Sequence, residues 1–488
     1  MSEDLKNQDE FVKEITPKSI DFSRWYTDVI RKAKMADYTP IKGCMVIMPY
    51  GFSLWENMQG ILDSMIKDTG HKNCYFPMFI TESMLKKEAD HVEGFAPEVA
   101  WVTKAGTTEL EEPLVLRATS EPVICTMYSK WIKSYRDLPL LYNQWANIIR
   151  WEKVTRLFLR TTEFLWQEGH TVHRTESDAE EETIKMLDVY NTFIEKYLAV
   201  PVIVGKKTES EKFAGALRTY TLEALMSDGK ALQMGTSHNL GQHFAKVFDI
   251  RFLDEDQLEK YAWQTSWGVT TRLIGSVIMV HGDDRGLILP PMIAPTQAVI
   301  VPIIFEKSKG QVIEKVEKLH QNLKAKFRIE SDTRDEYSSG WKYNEYEMKG
   351  VPIRIEIGPK DVKNNQVVLV RRDTGEKIFV KDEEIESELT RLISDIQNNL
   401  FAVAENFRKK NIHLTDTYKE FKEIMENKRG FLLAHWCGSA ECENKIKKET
   451  TATIRCIPIK DRDRMIEKGK CICCNGESSE RVYFAKAY

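Results

Sequence analysis

A chain of 488 residues, 42% apolar and 30% charged, has the composition of a globular protein, which excludes a disordered or fibrous one. At roughly 150 residues per domain the length predicts about three domains. Lys plus Arg number 70 against 74 Asp plus Glu, a net charge of -4, which excludes nonspecific wrapping of nucleic acid and leaves any RNA contact to local basic patches. No apolar run reaches the ~18 residues of a membrane span. The opening MSEDLKNQDEFVKE lacks the basic and apolar regions of a secretory signal. Both features predict a cytoplasmic protein without a membrane partner.

Along the chain, Ser53 and Glu56 form a capping-box pattern ahead of Met58, Ile61, Leu62, Met65 and Ile66, and Gly70 ends the run. This predicts a helix. The strand expected next, NCYFPMFI, carries Pro77, which has no N–H for a ladder and so suits an edge or bulge. Such a helix and edge strand suit either a dimer interface or packing within one domain. Ile149 to His173 reads as a strand, a basic turn around Lys153 and Arg156, and a returning strand. His170 and His173, three apart, point to opposite faces of a strand, which argues against a shared metal.

From Pro295 the pattern becomes regular. AVIVPII reads as a strand, Val312, Val316, Leu319, Leu323 and Phe327 as a helix face, and PIRIEIG, QVVLV and KIFV as strands. Ile385, Leu389, Leu392, Ile396 and Leu400 then mark a closing helix. Cys44, Cys74 and Cys125 are scattered, whereas Cys437, Cys442, Cys456, Cys471, Cys473 and Cys474 crowd the tail. In a cytosolic chain this favours metal over disulfides. Four residues separate Cys437 from Cys442, two separate Cys471 from Cys474, and 28 lie between the pairs. That spacing suits one tetrahedral Cys₄ site for structural Zn²⁺. Cys474 is favoured because a two-residue gap makes the usual zinc knuckle, with Cys473 as the alternative.

Arg150-Trp151-Glu152 followed by RTTEFLWQEGH resembles motif 2 of class II aminoacyl-tRNA synthetases in the form found in prolyl-tRNA synthetases, of the archaeal and eukaryotic-like type. Other segments agree in order: the helix and strand around Pro77 resemble motif 1, ATSEP at Ala118 to Pro122 the proline-binding loop, and QMGTSHNLGQHF with SWGVTTRLIG the remaining pocket and motif 3. The likeness extends through GWKYNEYEMKGVPIRIEIGPKD to the cysteine-bearing tail and Tyr488, whose carboxylate it brings back toward the active site.

The resemblance implies an α+β catalytic domain over 1–290, built on an antiparallel sheet with helices. An α/β anticodon-binding domain over 291–400 and an α/β zinc-binding domain over 401–488 follow. It implies ATP-dependent attachment of L-proline to tRNA(Pro) in two steps through prolyl-adenylate, with Mg²⁺, by a homodimer. Arg150 then bridges the proline carboxylate and the α-phosphate of ATP, and Glu152 holds the adenine amino group. Arg160, Thr161, Gln233, Thr236 and Thr270 meet ATP, while Phe164 and Arg272 sandwich adenine. Thr119 and Glu121 receive the proline ammonium, and Trp166, Glu168, His170 and His238 complete that pocket.

Motif 3 reads TTR, without the acidic residue that precedes its arginine in many class II enzymes, a departure shared by prolyl enzymes. Arg150 and Arg272 are 122 positions apart, which predicts no inserted editing domain. Arg334, Trp341, Lys342, Glu347, Lys349 and Arg354 are candidate RNA-facing groups in the middle domain. The alternative function, a non-catalytic tRNA-binding paralogue, has no need of Arg150, Glu152, Arg272 and Glu121 together. A threonyl sibling needs catalytic zinc ligands, and the catalytic half offers no comparable set.

Overall fold

The computed structural model describes residues 15–89 and 99–488. The acidic opening segment lies outside them. Helix α1 (Phe22–Lys32) is capped by Asp21, whose carboxylate accepts from the Arg24 N–H at 3.0 Å. Helix α2 (Pro49–Asp68) starts at a proline rather than at the expected Ser53 capping box. Proline suits the first helical position, where its missing N–H has no partner to lose, so Ser53 lies inside the helix. Met58, Leu62 and Ile66 are buried on its inner face. The strand expected over NCYFPMFI is split by Pro77. Strand β1 (Lys72–Asn73) enters the large sheet, while Phe79–Thr81 joins a separate three-stranded one.

Next come α3 (Glu121–Trp131), β2 (Leu140–Ile149), β3 (Glu163–His173), α4 (Glu176–Thr192), β4 (Val202–Lys206), β5 (Arg218–Leu225), β6 (Ala231–Gly241), β7 (Trp263–Thr270) and α5 (Arg272–His281). Their strands lie in the order β1-β2-β3-β7-β6-β5-β4, antiparallel except for β1 with β2. One face of this sheet is sealed by α4, with Met186 and Tyr190 packed among Leu222, Met234, Trp267 and Val269. A Cβ at residue 169 would come within 2.1 Å of the Trp267 ring, so only glycine lets that ring cross β3. The opposite face carries the polar residues described below.

The middle segment holds β8 (Ala298–Pro302), α6 (Lys309–Leu323), β9 (Ile329–Ser331), α7 (Ser339–Met348), β10 (Ile353–Ile357), β11 (Gln366–Arg371) and β12 (Lys377–Lys381). They form a mixed sheet in the order β9-β8-β10-β11-β12. Phe327 falls beyond the end of α6, on whose face the sequence pattern placed it. Helix α8 (Ile385–Lys410) buries Ile385, Leu389, Leu392, Ile396 and Leu400, as their periodicity predicts, and continues into the tail.

The tail contains β13 (Ile412–Leu414), β14 (Phe431–His435), α9 (Ala440–Thr450), β15 (Ala452–Pro458), β16 (Ile466–Lys470) and β17 (Glu477–Lys486). Its sheet is not separate. Strand β15 pairs antiparallel with β4, Ile457 opposite Lys206 and Pro458 opposite Gly205, and the combined sheet has 12 strands. The whole is of the α+β class with mixed sheets. Among the described residues no helix is long and apolar enough to cross a membrane.

Candidate active site

The alternation of a strand builds the site. On β3, Phe164, Trp166, Glu168 and His170 sit two apart and therefore share one face. Register extends this face sideways. His170 lies opposite Ser266, Ser266 opposite His238, and His238 opposite Thr219; Glu168, Gly268, Thr236 and Thr221 make the neighbouring row. Gln233 and Thr236 are three apart and would point to opposite faces on a regular strand. The register shift that leaves Met234 unpaired between them turns both toward the same side.

The outcome is a cavity of about 360 Å³. Every residue expected at the catalytic and substrate sites lines it: Thr119, Glu121, Arg150, Glu152, Arg160, Thr161, Phe164, Trp166, Glu168, His170, Gln233, Thr236, His238, Thr270 and Arg272. It is also lined by Lys207, Glu211, Phe213, Thr219, Ser266 and Gly268, which sequence reasoning did not name individually. For Ser266 and Gly268 a signal existed, since both lie at even steps from Thr270 on one strand. Phe213 sits in a loop without periodicity, and its ring centroid lies 4.8 Å from that of His238.

Two buried carboxylates occupy one end. Glu168 accepts from the Ser120 hydroxyl at 2.5 Å and from the Gln144 amide, and pairs with His170 Nε2 at 3.0 Å. Its oxygens are thus already engaged. Glu121, at the start of α3, accepts the Thr119 hydroxyl and opens to the cavity. Burial pushes the Glu121 carboxyl up, His170 opposes this and Glu168 reinforces it, so it stays above the usual carboxylate range. Burial works against the charge on His170, but the hydrogen bond and charge of Glu168 hold its imidazole above the ordinary value. Burial and the neighbouring His170 push His238 down to about 3, which makes it a neutral ring; Thr219 Oγ1 lies 3.0 Å from its Nδ1. His173 faces the other side, 2.7 Å from the Thr171 hydroxyl, as the strand reading required.

Arg150 leaves the tip of β2. Its Nε donates to the Ala118 carbonyl at 2.9 Å, and its guanidinium lies 5.7 Å from the ring centroids of both Phe164 and Trp166. That anchors a permanent cation within reach of the charges of both carboxylates. Arg160 Nε donates to Glu152 at 2.7 Å, and Arg272 Nε to the Leu159 carbonyl at 3.3 Å.

In the tail, the sulfurs of Cys437, Cys442, Cys471 and Cys474 all lie within 4.8 Å of one another. Cys437 stands 3.7 Å from both Cys442 and Cys474. Zn–S bonds of ~2.3 Å imply tetrahedral S···S edges of roughly 3.8 Å, so the donor set fits that ion. Cys473 lies outside the group. In the middle segment Tyr337 and Trp341 stack with centroids 4.0 Å apart, and the Arg334 guanidinium lies 4.9 Å from the Tyr337 ring centroid. Lys342, expected to face RNA, is instead buried, its Nζ donating to the Asp332 carbonyl at 3.1 Å. Arg354 is also buried, paired with Glu356 and Glu347.

Comparison with known proteins agrees with this geometry. Residues 101–281 match the family model described as the tRNA synthetase class II core domain (G, H, P, S and T). Residues 297–392 match an anticodon binding domain, and 418–488 the C-terminal domain of prolyl-tRNA synthetase. The chain is 61% identical over 485 residues to "Proline--tRNA ligase" of Natranaerobius thermophilus, covering 99% of this chain and 100% of that one. It is 57% identical over 483 residues to the protein of that name from Alkaliphilus oremlandii, again covering 99% and 100%. To "Proline--tRNA ligase 2" of Clostridioides difficile it is 56% identical over 484 residues, with the same coverage. With three family models in order and likeness from end to end, the chain is an enzyme and belongs to the prolyl-tRNA synthetase family of class II aminoacyl-tRNA synthetases.

Proposed function

We propose that the protein charges tRNA(Pro) with L-proline in two steps, through prolyl-adenylate. The observation that carries this reading is one cavity holding an underused buried carboxylate, Glu121, near a fixed guanidinium, Arg150. In the first step a proline carboxylate oxygen attacks the α-phosphorus of ATP, and pyrophosphate leaves. The carboxylate is already ionised at neutral pH, so positioning and charge stabilisation suffice without a general base. Arg150 bridges carboxylate and α-phosphate, a task suited to a planar and permanently charged fork. Glu121 and Thr119 receive the secondary ammonium, with Trp166, Glu168, His170 and His238 around the ring.

Adenine lies between Phe164 and Arg272, its amino group on Glu152. Arg160, Thr161, Gln233, Thr236 and Thr270 contact ATP, and the Mg²⁺ accompanying it would be held mainly by phosphate and water. In the second step a hydroxyl of the terminal tRNA ribose attacks the adenylate carbonyl, releasing AMP. Proline-dependent exchange of pyrophosphate into ATP without tRNA tests the two-step order. Exchange that strictly requires tRNA contradicts it.

Cys437, Cys442, Cys471 and Cys474 hold a structural Zn²⁺ in this reading. Cys474→Ser is expected to lower bound zinc and thermal stability, while Cys473→Ser keeps both, as measured by elemental analysis and calorimetry. The reverse pattern would make Cys473 the ligand. Exposed Tyr337, stacked on the half-buried Trp341 beside Arg334, offers a platform for unpaired anticodon bases. Trp341→Ala is expected to raise KM for tRNA at least about fivefold while leaving tRNA-independent exchange unchanged.

Residues 1–290, 291–400 and 401–488 serve as catalytic, anticodon-binding and zinc-binding parts of a cytoplasmic homodimer. The exposed Tyr75, Phe79 and Trp101 are candidates for its contact. Between Arg150 and Arg272 the chain is spent on elements of the catalytic half, chiefly β3, α4 and β4 to β7, which supports the absence of an editing domain. One missing methylene is worth only ~1 to 3 kcal/mol of discrimination, so alanine is sometimes activated and the mischarged product is not cleared by this chain.

A further inference from the structure

The seam between the tail and the catalytic sheet contains a buried charge cluster at the cavity wall. Arg455 lies on β15 at the register shift between Ile454 and Cys456, and a bulge of this kind re-aims a side chain. Its guanidinium grips Glu223 of β5, Nε at 2.9 Å and Nη2 at 2.8 Å on the same oxygen. The other Glu223 oxygen accepts from Lys207 Nζ and from the Thr221 hydroxyl, each at 2.8 Å. Lys207 Nζ also donates to the Arg455 backbone carbonyl at 2.8 Å. Glu223 is 0% exposed, Lys207 4% and Arg455 7%.

This cluster touches the site through two members. Lys207 lines the cavity, and Glu223 lies directly opposite Gln233 in the β5–β6 register. It also reaches Arg272: burial and the charge of Arg150 disfavour that cation, whereas Glu223 favours it. The seam is built for close approach. A Cβ at Gly205 would come within 2.5 Å of the Cys456 Cβ, so the tail strand seats fully only against glycine. One residue beyond Lys207, the Thr208 hydroxyl donates to Glu443 on α9 at 2.9 Å.

Resting on the synthetase reading above, we propose that Arg455 of the tail is a positioning residue for the ATP end of the cavity, acting through Glu223 to hold Lys207 and the Gln233 strand. The tail thereby serves amino-acid activation without touching substrate. Removing one member of a buried charge cluster leaves the others uncompensated, so the effect is large where the cluster borders the site.

The test is tRNA-independent exchange with ATP and proline varied separately. Arg455→Met is expected to raise KM for ATP at least about tenfold while KM for proline moves less than about twofold. Arg455→Lys, which keeps the charge, recovers part of the loss. Glu223→Gln reproduces it, and combining it with Arg455→Met adds little, as for residues acting as one unit. Arg408→Met, which breaks the buried pair with Asp463 elsewhere in the tail, lowers thermal stability without the selective change in KM. If Arg455→Met does not fold, Arg455→Lys and Glu223→Gln carry the same comparison. An unchanged KM for ATP, or equal rises in both constants matching Arg408→Met, overturns the proposal. Exchange by the unmodified protein tests the synthetase reading separately, so the two can fail independently.

Discussion

Arg150→Ala is expected to reduce proline-dependent exchange by at least about 10³-fold in kcat/KM without unfolding the protein. Single neutral donors to a developing oxyanion are worth roughly 10² to 10³ in rate, and this donor is charged. In the proposed reaction it is also the cation that brings two anions together. Its place is fixed by the Ala118 carbonyl and by the rings of Phe164 and Trp166, so little reorganisation accompanies binding. Arg150→Lys tests geometry against charge. A point charge cannot contact carboxylate and phosphate as a planar fork does, and it is expected to recover only a small part of the rate. Full activity in either variant removes Arg150 from the chemistry.

Glu121→Gln is expected to lower kcat/KM for proline by about 10²- to 10⁴-fold. Removing one partner of a buried ion pair costs ~3 to 5 kcal/mol, and Glu168, already engaged by Ser120, Gln144 and His170, has little capacity to replace it. The pH dependence carries the same assignment. Burial and Glu168 hold the Glu121 carboxyl above its ordinary range against His170. In the proposed binding mode the charged form receives the ammonium, so the group is competent above that raised pKa and loses proline affinity as pH falls through it. KM for proline in the unmodified enzyme therefore rises toward acid. Glu121→Gln flattens this rise. Arrival of the ammonium favours the carboxylate, so proline binding releases a proton, measurable by calorimetry in buffers of different ionisation enthalpy. No proton release and an unaltered pH profile in the variant would assign the ammonium to another group.

Which residues line the cavity was more legible in the chain than how its strands assemble. Phe164, Trp166, Glu168 and His170 alternate on one strand, so their common face follows from backbone geometry alone. Gln233 and Thr236 converge only because Met234 is bulged out, and a register shift depends on the partner strand. The capping pattern at Ser53 misplaced the start of α2, because a local pattern inside a helix looks the same as one at its end. Pro49 held the better signal. Lys342 and Arg354 looked RNA-facing from charge alone, yet both are buried, Lys342 against the Asp332 carbonyl and Arg354 between Glu347 of α7 and Glu356 on its own strand. The joining of β15 to β4 was hidden for a similar reason. It depends on Gly205 and on a bulge at Arg455, neither of which has meaning until the two strands meet.

The account is tested most directly by pyrophosphate exchange into ATP with proline, alanine, cysteine, threonine, histidine and glycine offered one at a time, without tRNA. It predicts exchange dominated by proline, weak exchange with alanine, and none with the larger polar amino acids. Exchange dominated by another amino acid, or absent with all six from folded and zinc-loaded protein, contradicts it.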